Sequence, residues 1–365
     1  MALTGKPFRA VIAGGGTGGH LFPGIAVARE LEHRFEKIEI LFVVGRRRME
    51  SDLLLRYGYQ IRSLDVEGLK GRGWKKGLIV VVKLPKSVHQ SASILKEFSP
   101  ALVLGMGGYS AGPICLAARF KGIPTAIHEQ NSYPGLTNRL LSRVVNRVFI
   151  SFEESRVHFK VNSLVLTGNP VRKELFSDAN HEKEDNGIFT ILVMGGSQGA
   201  RAINQVFVEA LASLVAKGRN LQVIHQTGET DYERALEDYH NRELKAELFP
   251  FIQDMKAAYG RADLVLSRAG ATTIFELAAL GKPSILIPYP YAANQHQETN
   301  ARSLVRSGGA EMIHQGELNA ERLTRALARY MDNPLLLQEM GKRAQKVGRP
   351  DAARVIVDQL VEMAT

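Results

Sequence analysis

Short apolar runs that end on glycine alternate along this chain with longer stretches whose apolar residues recur at helical spacing. "RAVIAGGGTGGHLFPGIAVARELEHR" (9–34) opens on a β-branched run, crosses a glycine loop and continues into an amphipathic segment, the pattern of strand, loop and helix. "FTILVMGGSQGARAINQVFVEALASLVAKG" (189–218) repeats it in the second half. There Ile203, Val206, Phe207, Ala210, Leu211 and Leu214 stand at i, i+3, i+4, i+7, i+8 and i+11, the stripe of a helix laid on a sheet. Further strands are expected at "IEILFVVG", "ALVLGMGG", "IPTAIHEQ" and "RVFIS" after the first loop. After the second they are expected at "LQVIHQTG", "AELFPFI", "ADLVLSRAG" and "PSILIPYP". Strands alternating with helices imply parallel sheets joined by right-handed crossovers.

The pattern predicts an α/β protein of two Rossmann-like parallel-sheet domains facing across a cleft, each opening on its own glycine loop. The first domain is expected over 1–168 and the second over 169–341, with the polar stretch Ser177–Gly187 reading as linker. The C-terminal helical region, 342–365, is expected to pack back on the first domain through Val355, Ile356, Leu360 and Val361. Ligands of open α/β sheets bind outside the carboxyl ends of the strands, so two such domains favour a two-substrate enzyme.

Composition narrows the setting. The 365 residues hold one cysteine, Cys115, so no intramolecular disulfide can form, and a small buried hydrophobe is the expected role. The first strand begins within about ten residues, too early for a signal peptide. No apolar run, Leu78–Val82 included, approaches the roughly 18 residues that span a bilayer. A cytoplasmic, non-spanning protein is expected. Its net charge of +10 is uneven: residues 1–165 carry 24 Lys and Arg against 12 Asp and Glu, which leaves 23 against 25 for the rest. Between Lys70 and Lys86 stand six basic residues and no acidic one, interleaved with Trp74 and Leu78–Val82. Trp74, Lys75, Lys76 and Leu78 therefore suit an interfacial segment on an anionic membrane surface. No basic–aromatic pattern resembles a nucleic-acid recognition module, so nucleic acid is not an expected partner.

"VIAGGGTGGH" formally satisfies G-x-G-x-x-G through Gly14, Gly16 and Gly19. NAD would need an acid at the end of the second strand, where this chain has Arg46, Arg47 and Arg48. An NADP-dependent oxidoreductase survives as an alternative, although no hydride-transfer constellation accompanies the loop. The second half carries more chemistry. "GGSQGA" offers Ser197 and bare amides to a diphosphate at a helix N-terminus, and Arg172 in "GNPVR" offers a bidentate clamp. In "SRAGATTIFEL", Thr273-x-x-Glu276 has the spacing of a capping box, while the Glu276 carboxylate equally suits a ribose cis-diol. Gln295, Gln297 and Asn300 supply amides for sugar hydroxyls. No Asp-x-Asp pair appears, so neither a metal nor another cofactor is expected.

Eight stretches in order, "GGGTGGH", "GMGGYSAGP", "HEQNSYPGLTN", "GNPVR", "GGSQGA", "SRAGATTIFEL", "GKPSILIPYP" and "HQETNA", resemble the MurG family of bacterial peptidoglycan glycosyltransferases over nearly the whole chain. The resemblance implies the two-Rossmann architecture called GT-B. It implies an inverting hexosyltransferase that moves GlcNAc from UDP-GlcNAc to the C4 hydroxyl of undecaprenyl-pyrophosphoryl-MurNAc-pentapeptide. The setting it implies is the cytoplasmic face of the plasma membrane. A GT-B transferase with a different lipid acceptor stays open. By resemblance the donor would be met by Thr17, Gly18, Gly19, Asn131, Arg172, Ser197, Ile252, Ala271, Thr272, Thr273, Ile274, Phe275, Glu276 and Gln297. His296 would lie near the sugar. Gly15, Gly16, Gly107, Gly108 and Tyr109 would face the acceptor pyrophosphate. His20, at a helix N-terminus whose dipole favours the neutral ring, is the candidate base, with Glu129 as its rival.

Overall fold

The computed structural model describes residues 7–16, 18–46, 48–66, 74–176, 187–196 and 199–364, without the side chains of 48–49 and 74–83. The chain forms two compact units, Met1–Arg172 with Pro350–Thr365, and Lys173–Arg349.

The first unit runs β1 (Phe8–Ala13), α1 (Gly18–Arg34), β2 (Ile38–Val44), α2 (Arg48–Arg56), β3 (Gln60–Ser63) and α3 (Trp74–Phe98). It continues with β4 (Leu102–Gly105), α4 (Gly108–Phe120), β5 (Thr125–Glu129), α5 (Leu136–Leu141), β6 (Arg147–Ile150) and β7 (Leu164–Leu166). Its seven strands are all parallel in the order β3-β2-β1-β4-β5-β6-β7. Successive residues of a strand face opposite sides, so the buried neighbours Val11 and Ile12 serve two cores. Ile12, Phe42 and Leu104 pack with Ile25 and Leu31 of α1. Val11, Val43 and Val103 pack with Ile94 and Leu95 of α3 and Ile114 of α4. Cys115 is fully buried, and burial pushes its thiol up to about 12, as suits a packing residue.

The second unit runs β8 (Phe189–Met194), α6 (Arg201–Ala216), β9 (Leu221–Gln226), α7 (Tyr232–Asn241), β10 (Glu247–Phe249) and α8 (Met255–Arg261). It continues with β11 (Leu264–Ser267), α9 (Ala271–Leu280), β12 (Ser284–Leu286), α10 (His296–Arg306), β13 (Ala310–Met312), α11 (Ala320–Met331) and α12 (Pro334–Val347). Six parallel strands lie in the order β10-β9-β8-β11-β12-β13. The α6 stripe is real: Ile203, Phe207, Ala210, Leu211 and Leu214 are buried against Ile191, Val193 and Leu266, with Leu323 and Leu327 of α11 in the same core.

A last helix, α13 (Ala352–Ala364), returns to the first unit. Ile356, Val357 and Leu360 join the core that α1 covers, and Arg147 holds Gln359 Oε1 at 2.7 Å and Glu362 at 2.9 Å. The sequence places the return at 342, whereas the structure places it at 350. Helix α12 stays with the second unit because Gly341 and Gly309 allow close packing: a Cβ on Gly309 would lie 2.6 Å from Ala344 Cα, and one on Gly341 would meet the Gly281 carbonyl oxygen without room. The first boundary likewise falls at 172/173 rather than 168/169. Strands β3, β7 and β13, not expected from the sequence, lie at sheet edges and bury little.

Candidate active site

In the first unit, the loops after β1 and β4 meet where the strand order reverses, the place at which an open α/β sheet binds ligands. Glycine is required there. A Cβ on Gly108 would fall on the Gly15 carbonyl oxygen, and one on Gly14 would lie 2.8 Å from Met106 Cβ. Gly107 and Gly108 have φ of 88° and 79°, a region that favours glycine. Gly15, Gly16 and Tyr109 line one small cavity with Arg46, Glu50 and Ser110. Gly18 and Gly19 start α1, and Thr17 lies outside the described residues.

Glu50 is a residue that sequence reasoning missed. It is 34 residues from the loop, on α2, and only 3 % exposed. Its Oε1 accepts the Gly16 N–H at 2.6 Å, so a carboxylate already sits where the loop would receive an anion. Arg46, one of the arginines standing where NAD would need an acid, is exposed and pairs with Asp65 at 3.6 Å.

His20 stands in the first turn of α1, with Nδ1 2.9 Å from Gln130 Oε1. Gln130 Nε2 donates to the Met106 carbonyl at 2.9 Å and lies 3.1 Å from His128 Nδ1. His128 Nε2 in turn lies 3.1 Å from the Gly168 carbonyl, and burial lowers this ring to about 4. Glu129 is occupied differently. Its Oε1 accepts the backbone N–H of Asn131 at 3.0 Å and its Nδ2 at 3.4 Å, while Oε2 accepts Gly135 N–H at 3.1 Å and Asn138 Nδ2 at 2.8 Å. Four donors engage the four lone pairs of that buried carboxylate, which thereby holds the loop carrying Asn131. Arg172 belongs to the first unit, its guanidinium 4.5 Å from the centre of the Phe22 ring.

In the second unit, the loop after β8 is packed on backbone. A Cβ on Gly195 would fall on the Ala200 nitrogen, and one on Gly199 on the Thr227 carbonyl oxygen. Ser197 lies outside the described residues. Gln226, at the end of β9, donates Nε2–H to the Gly196 carbonyl at 3.0 Å and accepts the Ile252 N–H at 2.9 Å. The backbone of Ile252, expected to read a base, therefore has its N–H engaged. Beneath the loop His225 bridges Tyr239 Oη at 2.9 Å and Asn204 Oδ1 at 3.1 Å, and burial lowers it to about 3.

Helix α9 begins at Ala271 with Gly270 as its N-cap. Thr273 is therefore the third helical residue and Glu276 the sixth, and the capping box expected from their spacing does not form. Glu276 points inward instead, 5 % exposed, and its Oε2 accepts the Tyr259 hydroxyl at 3.0 Å. Ala271, Ile274 and Phe275 are buried around it. Ser267 Oγ and Thr272 Oγ1 are buried with no hydrogen-bond partner among the described residues. Gln297 Oε1 accepts the Tyr289 N–H at 2.9 Å, and His296 Nδ1 donates to the Ala293 carbonyl at 2.8 Å. Asn300, read as a sugar contact, is fully buried and donates to the Ala269 carbonyl at 3.3 Å, tying α10 to the loop before α9. Trp74, Lys75, Lys76 and Leu78 fall in the opening turns of α3, and their side chains are outside the description. Among the described residues no helix is long and apolar enough to cross a membrane.

Comparison with known proteins agrees across both units. The glycosyltransferase family 28 N-terminal domain matches residues 10–150 and the family 28 C-terminal domain residues 190–356. A UDP-N-acetylglucosamine--N-acetylmuramyl-(pentapeptide) pyrophosphoryl-undecaprenol N-acetylglucosamine transferase of Syntrophus aciditrophicus is 44% identical over 355 residues, 97% of this chain and 98% of the relative. One of the same name from Geobacter sp. is 47% identical over 354 residues, 97% and 95% of the two chains. The crystal structure of Acinetobacter baumannii MurG superposes with a TM-score of 0.78 at 32% identity, over 98% of this chain and all of that one.

Proposed function

Because the chain belongs to glycosyltransferase family 28, we propose that it transfers GlcNAc from UDP-GlcNAc to the C4 hydroxyl of undecaprenyl-pyrophosphoryl-MurNAc-pentapeptide, with inversion. The observation that carries the donor half is Glu276, a buried carboxylate beside the carboxyl ends of the second sheet, steadied by Tyr259. A carboxylate accepts from both hydroxyls of a ribose, and Tyr259 orients it for that task. Ser197, Arg172 and the amides of the loop after β8 meet the diphosphate, where charge grows as UDP leaves. Thr272, Thr273 and Gln297 serve the nucleotide-sugar. His20 takes the proton of the attacking hydroxyl. Glu129, whose lone pairs are engaged, positions Asn131. The acceptor pyrophosphate meets Gly15, Gly16, Gly107, Gly108 and Tyr109. The enzyme works at the cytoplasmic face of the membrane, supported by the surplus of positive charge in residues 1–165 and by the basic, Trp-bearing start of α3.

Thermal unfolding with UDP-GlcNAc, UDP and NADPH tests the donor half, since a ligand of the native state raises the midpoint by mass action. Shifts with both uridine nucleotides and none with NADPH are expected; a shift with NADPH alone would return the chain to the oxidoreductases. Glu276→Ala should weaken UDP-GlcNAc binding by about 1–3 kcal/mol, and unchanged affinity would leave Glu276 a packing residue. Lys75→Glu with Lys76→Glu should loosen binding to anionic vesicles and spare UDP binding. Vesicle binding at full strength would remove α3 from the membrane contact.

A further inference from the structure

Resting on the reading of His20 as base, we propose that Gln130 is a positioning residue that fixes the tautomer of His20, holding the proton on Nδ1 and leaving the Nε2 lone pair to accept. The tautomer depends on which way the Gln130 amide faces. Its Nε2 lies 2.9 Å from the Met106 carbonyl and 3.3 Å from the His128 carbonyl. Both are pure acceptors, so an amide turned the other way would set oxygen against two oxygens in a buried site. The orientation is therefore decided by backbone, before any histidine enters.

With Nε2 committed there, Oε1 faces His20 Nδ1 at 2.9 Å, and an amide oxygen can only accept. His20 must donate from Nδ1. The far side of the chain agrees. The Gly168 carbonyl, 3.1 Å from His128 Nε2, can only accept, so the neutral His128 ring carries its proton there and exposes an acceptor at Nδ1. The second Nε2 hydrogen of Gln130 is directed to that acceptor at 3.1 Å. Burial keeps His128 uncharged, and so keeps this polarity from reversing. The sequence thus runs from His20 to Gln130 by Nδ1–H···Oε1, and from Gln130 to His128 by Nε2–H···Nδ1.

The ring is also held in place. A Cβ on Gly107 would lie 3.1 Å from His20 Cε1 and 3.2 Å from its Nδ1, so the imidazole rests against glycine backbone and a larger residue would push it away. Three strand ends contribute: His20 follows β1, Met106 and Gly107 follow β4, and Gln130 follows β5. His20 Nε2 makes no hydrogen bond among the described residues. An isolated imidazole distributes its proton between both nitrogens; here one hydrogen bond removes that choice, as a second group does for metal-bound and catalytic histidines in general.

Heteronuclear NMR of histidine-labelled protein tests this directly, with the His20 signals assigned from a His20→Gln sample. The wild type should show a protonated Nδ1 and an unprotonated Nε2 at neutral pH; the opposite tautomer overturns the proposal. Gln130→Leu should mix or reverse the tautomers and lower kcat by at least about tenfold with KM for UDP-GlcNAc unchanged. A Gln130→Leu enzyme with wild-type kcat and tautomer also overturns it. Failure of the base reading shows up elsewhere: His20→Gln with near wild-type kcat removes His20 from the chemistry, whatever the tautomer spectrum reports.

Discussion

After β1 and after β8 the chain makes a glycine loop that leads into a helix, yet the two loops are supported by different groups. The first receives the Glu50 carboxylate on its Gly16 amide, and space stays open around Gly16, whose φ is 101°. The second gives its Gly196 carbonyl to the neutral Gln226 amide and presses Gly195 and Gly199 on neighbouring backbone. A glycine pattern states that backbone comes close to something. Whether that something is an anion, a carboxylate of the same chain or another turn is decided by residues far off in sequence. At Gly195 and Gly199 the second loop leaves no room for a side chain. The first already holds a negative charge where an incoming phosphate would compete for it.

The two loops differ most in what their glycines tolerate. Gly199→Ala should cost more than about 4 kcal/mol or prevent folding, because backbone cannot yield to the new Cβ. Gly16→Ala meets only the strain of its φ, about 1–2 kcal/mol. Denaturant unfolding of both variants reads the difference, and equal losses would mean that the loops are not packed as described.

Acid separates the units less sharply. His225 in the second unit and His128 in the first are both lowered from 6.5, to about 3 and about 4. The unfolded chain then binds protons that the folded chain refuses, so stability is complete above pH 6.5 and declines as pH falls below it. The slope is about 1.4 kcal/mol per pH unit for each ring. The His128 contribution stops growing near pH 4, and the His225 contribution continues to near pH 3. Unfolding followed across this range by one probe in each unit should show the second still weakening where the first has levelled.

Glu50→Gln has the smallest expected effect. The amide oxygen still accepts from Gly16, while the charge is gone, so inorganic pyrophosphate should bind a few-fold more tightly, under about 1 kcal/mol. Calorimetric titration that finds weaker binding would make Glu50 a support for the phosphate site instead of a competitor.

Much of this was legible in the sequence, and the failures have physical causes. The strand–loop–helix units and the α6 stripe follow from local patterns. Of the two readings left open for Thr273 and Glu276, the capping box fails because cap spacing is independent of where a helix starts, and Gly270, with no side chain to signal it, caps this one. The domain boundaries slipped because α12 and α13 are both amphipathic, and only the close approach at Gly309 and Gly341 reveals which core each covers. Glu50, Gln130 and Tyr259 escaped because the contacts that matter here reach across 34, 110 and 17 residues, a distance over which no periodicity carries information.

The return of α13 to the first unit also sets an order of events during synthesis. A ribosome finishes Lys173–Arg349, a continuous stretch, before it has made the helix that closes the half begun first. Until Ile356, Val357 and Leu360 emerge, the face of α1 that they cover stays bare. The half that starts first is therefore completed last, and a stop codon placed before Ala352 would damage that half more than Lys173–Arg349.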